Sequence, residues 1–313
     1  MPGVPPTRFT YLGPEGTFSE QALRRIRAAE RAELRPARSV PDALDAVRDA
    51  DADAALVPLE NSVEGAVGVT LDELANGEPL AITREVVLPV TFILAGRPGR
   101  TVSDVTTVAT HPHAAAQCRE WLRRNLPEAS TVDMLSTAAA ASAVAAGELD
   151  AAICAPIAVD RHRLTALAKD IGDHPEAVTR FVLVSRPDTP PAATGNDVTS
   201  IVVFIAHDRV GSLLQVLTEL AIRGVNLTRI ESRPVGNALG RYSFFLDCTG
   251  HIADARMGEA LMGLRRTSSA VRFLGSYPRA DHERTAAPPA GAADPDFTDA
   301  AAWLARLRQG GVQ

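Results

Sequence analysis

Four short segments place small polar side chains where an apolar run gives way to a helical pattern: Gly13-Pro14-Glu15-Gly16-Thr17-Phe18-Ser19, Glu60-Asn61-Ser62, Thr110-His111-Pro112 and Ser136-Thr137. Helix N-termini at such places present unpaired N–H groups and a partial positive charge, which suits carboxylates or phosphates. Taken singly, each segment is also an ordinary helix cap, and Thr17 with Glu20 fits a capping box. Four together point to a site for a small, multiply anionic molecule. A fifth place adds different chemistry, because Thr179 and Arg180 open the apolar run Phe181-Val182-Leu183-Val184. An Arg at a strand mouth is often a solvated charge; equally, a guanidinium fork can hold a carboxylate and leave the neighbouring hydroxyl to act on another group. His111-x-His113 has the look of two metal ligands, but Pro112 fits the first position of a helix and no acidic or thiol partner is spaced nearby. With no P-loop, no GxGxxG after a strand and no Ser-His-Asp arrangement, neither metal nor cofactor is expected.

The elements that must position these residues alternate from Arg8 to about Val184. Apolar runs at Phe9–Leu12, Ala54–Leu59, Val86–Leu94, Thr107–Thr110, Ala151–Ala155 and Phe181–Ser185 read as strands. Helical periods fall at Phe18–Ala29, Pro41–Arg48, Val67–Leu74, Pro112–Asn125, Thr137–Ala146 and Val159–Lys169. The alternation predicts an α/β region with mostly parallel strands, whose C-terminal ends line the ligand crevice.

The segment RPDTPPAATGN, from Arg186, then breaks the periodicity as linkers do, and the linker is set at 187–197. Beyond it the order is strand Val198–Ile205, helix Gly211–Arg223, strands Leu227–Arg233 and Tyr242–Cys248, helix Ala253–Arg266, strand Val271–Gly275. This βαββαβ order is ferredoxin-like. Leu213, Val216, Leu217, Leu220 and Ala221 form one stripe that can cover a face of the sheet, leaving the other face free for a partner. The tail, 279–313, is expected to be flexible, with Arg279 to Asp296 disordered and a short helix at Phe297–Leu307.

Composition narrows the setting. At 313 residues the chain is long enough for two or three domains, and 46% hydrophobic with 22% charged residues is near the globular average. The net charge of −6 comes from mixed signs without a basic block, so nucleic acid is not an expected partner. Cys118, Cys154 and Cys248 lie far apart and read as reduced, buried thiols. No signal peptide or membrane span is visible, and the expected location is cytoplasmic.

The ordered set of segments resembles the prephenate dehydratases. Thr179-Arg180-Phe181 looks like their TRF motif. Tyr11 to Ser19, Val57 to Gly65, His111-Pro112 with Gln117-Cys118, and Ser136 to Ala140 are similar in order and spacing. Glu231-Ser232-Arg233-Pro234 is similar to the ESRP motif of the family's ACT domain, and Gly211-Ser212-Leu213-Leu214 stands where the family usually reads GALL. Departures are Ala177 where Asn is frequent, His113 where Gln is common, and Ser212 for Ala.

The resemblance implies a two-lobed, type 2 periplasmic-binding-protein-like catalytic domain over 7–186, with lobe one at 7–84 and 168–186 and lobe two at 85–167. The chain would cross between lobes near Thr83–Leu88 and Lys169–Thr179, and an ACT regulatory domain would follow over 198–278. It implies decarboxylating dehydration of prephenate to phenylpyruvate, with L-phenylalanine as feedback effector. By the same resemblance Thr179 donates to the leaving hydroxyl, Arg180 holds the pyruvyl carboxylate, and Glu60 is a candidate proton supplier. Asn61, Ser62, Thr110, Gln117, Ser136, Thr137 and Phe181 would line the substrate. Gly211, Ser212, Leu213, Leu214, Glu231, Ser232, Arg233 and Pro234 would bind the effector, although Glu231 and Arg233, two apart on a strand, could simply pair with each other. A homodimer or homotetramer is expected. Arogenate dehydratase, or a sensor without turnover, are the alternatives.

Overall fold

The computed structural model describes residues 7–205, 210–234, 242–281 and 287–311. They fall into two compact units, 1–70 with 86–184, and 71–85 with 185–313.

The first unit holds two sheets. Strands β1 (Arg8–Leu12), β2 (Glu33–Ala37), β3 (Ala54–Asn61), β4 (Gly65–Ala66), β5 (Ala81–Pro89, of which 86–89 belong to this unit) and β11 (Val178–Ser185) build one, in the order β2-β1-β3-β11-β5 with β4 hairpinned on β3. Strands β6 (Ile93–Gly96), β7 (Thr107–Thr110), β8 (Ser130–Asp133), β9 (Ala151–Cys154) and β10 (Thr165–Ala168) build the other, in the order β10-β6-β9-β7-β8. The chain leaves the first sheet between Pro89 and Ile93 and returns between Ala168 and Val178, which makes two lobes joined by two crossings. That is the plan expected of a type 2 periplasmic-binding-protein-like domain. The first crossing comes later than expected, because β5 stays in the first sheet as far as Pro89.

Helices cover the sheets for local reasons. In α2 (Val40–Arg48), Val40, Ala43, Leu44 and Val47 recur at helical spacing and are buried, and Ser39 caps it by accepting from Asp42 N at 3.2 Å. In α6 (Thr137–Ala146) the run of alanines combines high helix propensity with side chains small enough to lie close on β9, and Gly147 ends it in the left-handed region. The remaining helices of this unit are α1 (Phe18–Leu23), the start of α3 (Gly68–Asn76), α4 (Pro112–Gln117), α5 (Arg119–Asn125) and α7 (Pro156–Arg161).

Several expected elements differ, each for an identifiable reason. The helix expected over Phe18–Ala29 stops at Leu23, where Arg25 and Ile26 switch to tighter bonds from Ala22 and Leu23 carbonyls. The helix over Pro112–Asn125 breaks at Cys118, whose φ of −119° is not helical. Val159–Lys169 is half helix and half strand: Arg163 adopts a φ of 53° and turns the chain, after which Thr165–Ala168 pairs antiparallel with β6. β2 and β8 escape periodicity because both are largely exposed edge strands, the kind of strand where Pro36 is tolerated. Parallel pairing holds for β1 with β2 and β3, and for β7 with β8 and β9, whereas β6 runs antiparallel to both its neighbours.

The second unit is a four-stranded antiparallel sheet of β12 (Asp197–Phe204), β13 (Leu227–Pro234), β14 (Tyr242–Thr249) and β15 (Ala270–Pro278), in the order β13-β14-β12-β15. Helices α8 (Ser212–Ala221) and α9 (Ala255–Thr267) cover one face, with Ile201, Val203, Val216, Leu220, Leu246 and Leu264 in the core between. The opposite face, expected to be free, instead carries a buried polar layer in which Ser200 Oγ bonds Asp247 at 2.5 Å and Tyr277 at 2.6 Å. The segment 71–85 belongs to this unit and lies close to it: a Cβ at Gly275 would stand 2.2 Å from the Ile82 carbonyl oxygen, so only glycine fits.

Of the tail, residues 282–286 lie outside the described residues. Residues 287–311 are described, α10 runs Asp294–Arg308, and Asp294 caps α9 by accepting from Arg256 N at 3.1 Å. Ala292 is buried beside Gly224.

Candidate active site

β11 begins directly after the second crossing, so its first residues stand at the mouth of the cleft between the lobes. Thr179 lies there, 9% exposed, and its Oγ1 is 2.8 Å from Asn61 Nδ2. The direction of this bond is fixed by what the other end of the Asn61 amide does. Its Oδ1 accepts from Val63 N at 2.8 Å and from Glu64 N at 3.0 Å, the turn that folds the chain from β3 into β4. Oxygen must face those two donors, so the NH2 group faces Thr179 and Thr179 Oγ1 must accept. The threonine hydrogen is left free for another acceptor. Ser62 clips this turn to β11: its N–H donates to Val178 O at 2.9 Å and its Oγ accepts from Val178 N at 3.0 Å.

The cleft in front of Thr179 encloses about 970 Å3. That is near the top of the roughly 300–1,000 Å3 range of small-molecule sites. Asn61, Glu64 and Thr179 line it from the first lobe; His111, Gln117 and Thr137 line it from the second. Phe18 and Phe92, edge to face at 5.5 Å, also line it, and Phe18 packs against the cores of both lobes. Gln117, 6% exposed, donates from Nε2 to Glu64 Oε1 at 3.2 Å, while its side-chain oxygen Oε1 is buried and unpartnered among the described residues. A buried acceptor without a donor costs about 1–3 kcal/mol, so a ligand hydroxyl or N–H arriving there is favoured.

Charge in the cleft is unevenly distributed. Burial, with His113 beside it, holds the His111 imidazole below its usual pKa. His111 Nδ1 accepts from His113 N at 3.3 Å, capping α4, which leaves Nε2 to carry the hydrogen of the neutral ring. Ser136 caps α6 by accepting from Ala139 N at 3.0 Å, and both Ser136 and Thr137 line the cleft, so the positive end of α6 is presented to it. Arg38 is the one guanidinium lining the cleft among the described residues; its side chain is 94% exposed and bonds Asp42 at 3.3 Å.

Of the residues expected at the site, Asn61, Gln117, Ser136, Thr137 and Thr179 are brought together. Five are not on the cleft lining. Glu60 and Arg180 adjoin Asn61 and Thr179 in their strands, and the pleat turns neighbours to opposite faces. Ser62 is spent on the clip to β11. Thr110 is fully buried and donates to Ile153 O at 3.0 Å, tying β7 to β9, and Phe181 is part of the first lobe's core. Glu64, His113 and Arg38 were not expected as lining. His113 sits 3.7 Å from Glu64. The signal for Glu64 was available: an Asn-led turn after a strand reverses the chain and returns the following residues to the strand's end. Among the described residues no group of three side chains could hold a metal ion.

The effector segments lie in the second unit. Gly211 stands at the N-cap of α8 with a φ of 88°, followed by Ser212, Leu213 and Leu214 in the first turn. Glu231, Ser232, Arg233 and Pro234 end β13, an edge strand. Arg233 forms a fork with Asp72 of α3, at 2.5 and 3.1 Å, and this partner holds the guanidinium above its usual pKa.

A family model described as prephenate dehydratase matches residues 9–189, and one described as ACT domain matches 200–266. A prephenate dehydratase of Amycolatopsis methanolica is 52% identical over 97% of this chain and 99% of the relative. A solved structure of prephenate dehydratase in complex with L-Phe, from Arthrobacter aurescens, is 48% identical, with a TM-score of 0.91 over 97% of this chain and 100% of that one. A solved structure described as a novel type of quorum quenching acylase is 29% identical, with a TM-score of 0.77 over 87% and 98%.

Proposed function

The chain belongs to the prephenate dehydratase family, and we propose from its cleft that it converts prephenate to phenylpyruvate with Thr179 as hydrogen donor to the departing hydroxyl. Loss of the ring carboxylate as CO2 sends its bonding electron pair into the ring. The C–O bond breaks as the ring aromatises, and the hydroxide needs one proton to leave as water. A free threonine is a poor acid, so its environment must help. Asn61 supplies that help, because its N–H on Thr179 Oγ1 keeps the threonine hydrogen available and stabilises the charge that grows on Oγ1 as the hydrogen moves. This bond is the observation that carries the reading.

The two carboxylates need different treatment. Pairing the ring carboxylate tightly would stabilise a group that must leave neutral, so the cation belongs on the pyruvyl end. Arg38 and the N-terminus of α6 take the place proposed for Arg180, which is not on the cleft lining. Glu64, the one carboxyl group lining the cleft among the described residues, takes the place of Glu60 as source of the replacement proton. The same carboxylate favours a second reading, in which the ammonium of arogenate replaces the keto group.

The test is turnover by the purified protein, with prephenate giving phenylpyruvate and arogenate giving phenylalanine. Thr179→Ala is expected to lose roughly 10²–10⁴-fold in rate, the usual contribution of a positioned proton donor. Undiminished product from the variant sinks the assignment, and silence of the parent on both substrates favours a sensor.

L-phenylalanine is the proposed effector, at Gly211–Leu214 and Glu231–Pro234, supported by the ACT match and by the L-Phe complex of the 48% identical protein. A homodimer or homotetramer is proposed, supported by the exposed Leu214, Ile222 and Met262 in and beside α8 and α9. No described helix is long and apolar enough to cross a membrane, and the three cysteines are free and buried, which supports a cytoplasmic location.

A further inference from the structure

Behind the loop that lines the cleft, one side chain bridges the lobes. Arg161 ends α7 in the second lobe and forks to two carboxylates of the first, Glu15 in the Gly13–Ser19 loop and Glu20 in α1. Glu20 is 1% exposed and also accepts from Gly16 N at 2.7 Å and from Arg24 at 2.8 Å. Gly16 adopts a φ of 86°, and its Cα faces α6 and α7: a Cβ there would lie 3.5 Å from both Ala138 and Ala158. The loop is thus held from below by Glu20 and pressed on the second lobe by Arg161.

We propose that Arg161 is a positioning residue that clasps the cleft shut around the substrate. It does not line the cleft. It borders a separate groove of about 690 Å3 that shares Pro14, Pro36 and Ala139 with the cleft wall. Its effect reaches the reaction through the loop, whose Pro14, Thr17, Phe18 and Ser19 do line the cleft. When the lobes part, Glu20 keeps Gly16 and Arg24, which are on its own lobe, while both Arg161 contacts break together with the other bonds between the lobes, Gln117 to Glu64 among them. The pairs therefore favour the closed arrangement selectively, and removing them lowers the fraction of protein competent to hold substrate without touching the chemistry. A guanidinium suits the task because its planar fork meets two carboxylates at once, where an ammonium meets one well.

The inference rests on the dehydratase reading of the cleft. The experiment compares steady-state kinetics of the parent, Arg161→Ala, Arg161→Lys and Glu15→Gln on whichever of prephenate or arogenate the parent turns over, with thermal unfolding of each. Arg161→Ala is expected to raise KM about tenfold and leave kcat within about twofold, with Arg161→Lys between it and the parent. Glu15→Gln removes an exposed carboxylate and half the clasp, and is expected to raise KM about threefold with an unchanged unfolding temperature. Should Arg161→Ala fold poorly, Glu15→Gln decides by itself. An active parent whose Glu15→Gln and Arg161→Ala variants keep its KM overturns the clasp; an inactive parent overturns the dehydratase reading instead.

Discussion

Two threonines at two strand ends have opposite fates. Thr179 at the start of β11 and Thr110 at the end of β7 are both buried, and both belong to segments that resemble those of the prephenate dehydratases. Thr110 gives its hydrogen to Ile153 O and so joins two strands; Thr179 accepts from Asn61 and keeps its hydrogen. The residue type is the same and both are buried, and the direction of one hydrogen bond separates an adhesive from the proposed donor. The direction is set by neighbours: a bare backbone carbonyl in one case, and in the other an amide whose oxygen is already committed to Val63 and Glu64.

The sharpest way to break this contrast is to remove each hydroxyl and read both rate and stability. Thr179→Ala should cost most of the turnover and little stability, because Asn61 can turn its freed N–H toward the cleft. Thr110→Val keeps the shape but leaves the Ile153 carbonyl without its hydroxyl partner, and should cost about 1–3 kcal/mol in unfolding free energy while kcat stays near the parent value. Were Thr110→Val to lose turnover as severely as Thr179→Ala, the two positions would share a role that their bonds deny. Asn61→Ala sharpens the same point at an intermediate scale. With the threonine oxygen no longer held as an acceptor, kcat should fall roughly 100-fold, the lower end of what loss of one oriented donor costs. A rise in KM alone, with kcat unchanged, would show that Asn61 binds substrate without acting on Thr179.

Such directions are what the sequence does not carry. The α/β alternation, the ferredoxin-like order of the second unit and the segments that hold Asn61, Ser136, Thr137 and Thr179 were legible, because apolar periodicity and strand ends are local, whereas Gln117 was marked only by the family resemblance. Glu60 and Arg180 were placed on the cleft because a motif marks a stretch of strand, and a strand shows its residues to two faces in turn. Glu64 and Arg38 went unnoticed for the complementary reason. They reach the cleft through a tight turn and an edge strand's end, whose geometry depends on what the chain meets there. β2 and β8 were missed since an exposed edge needs no apolar pattern, and the covering of the ferredoxin-like sheet by 71–85 is a long-range packing event with no local sign.

The smallest expected effect lies in the second unit, and it asks whether the effector segment follows the logic of Thr179 or of Thr110. Glu231 and Arg233 could have paired along β13, which would make the segment adhesive. Instead Arg233 reaches Asp72, on the helix α3 that begins at Gly68 and whose Thr70 Oγ1 donates to Pro58 O at 2.6 Å, three residues before Asn61 on β3. Asp72 and Arg233 keep 47% and 29% of their side chains exposed, so screening limits the pair to about 0.2–1 kcal/mol of stability. Regulation should register it more clearly than unfolding does. Arg233→Ala, Asp72→Asn and the double variant should each raise the phenylalanine concentration needed for half-inhibition, with the double variant no worse than Arg233→Ala, since one bond is lost in all three. Effects that simply add would mean that Arg233 meets phenylalanine directly and that Asp72 acts elsewhere.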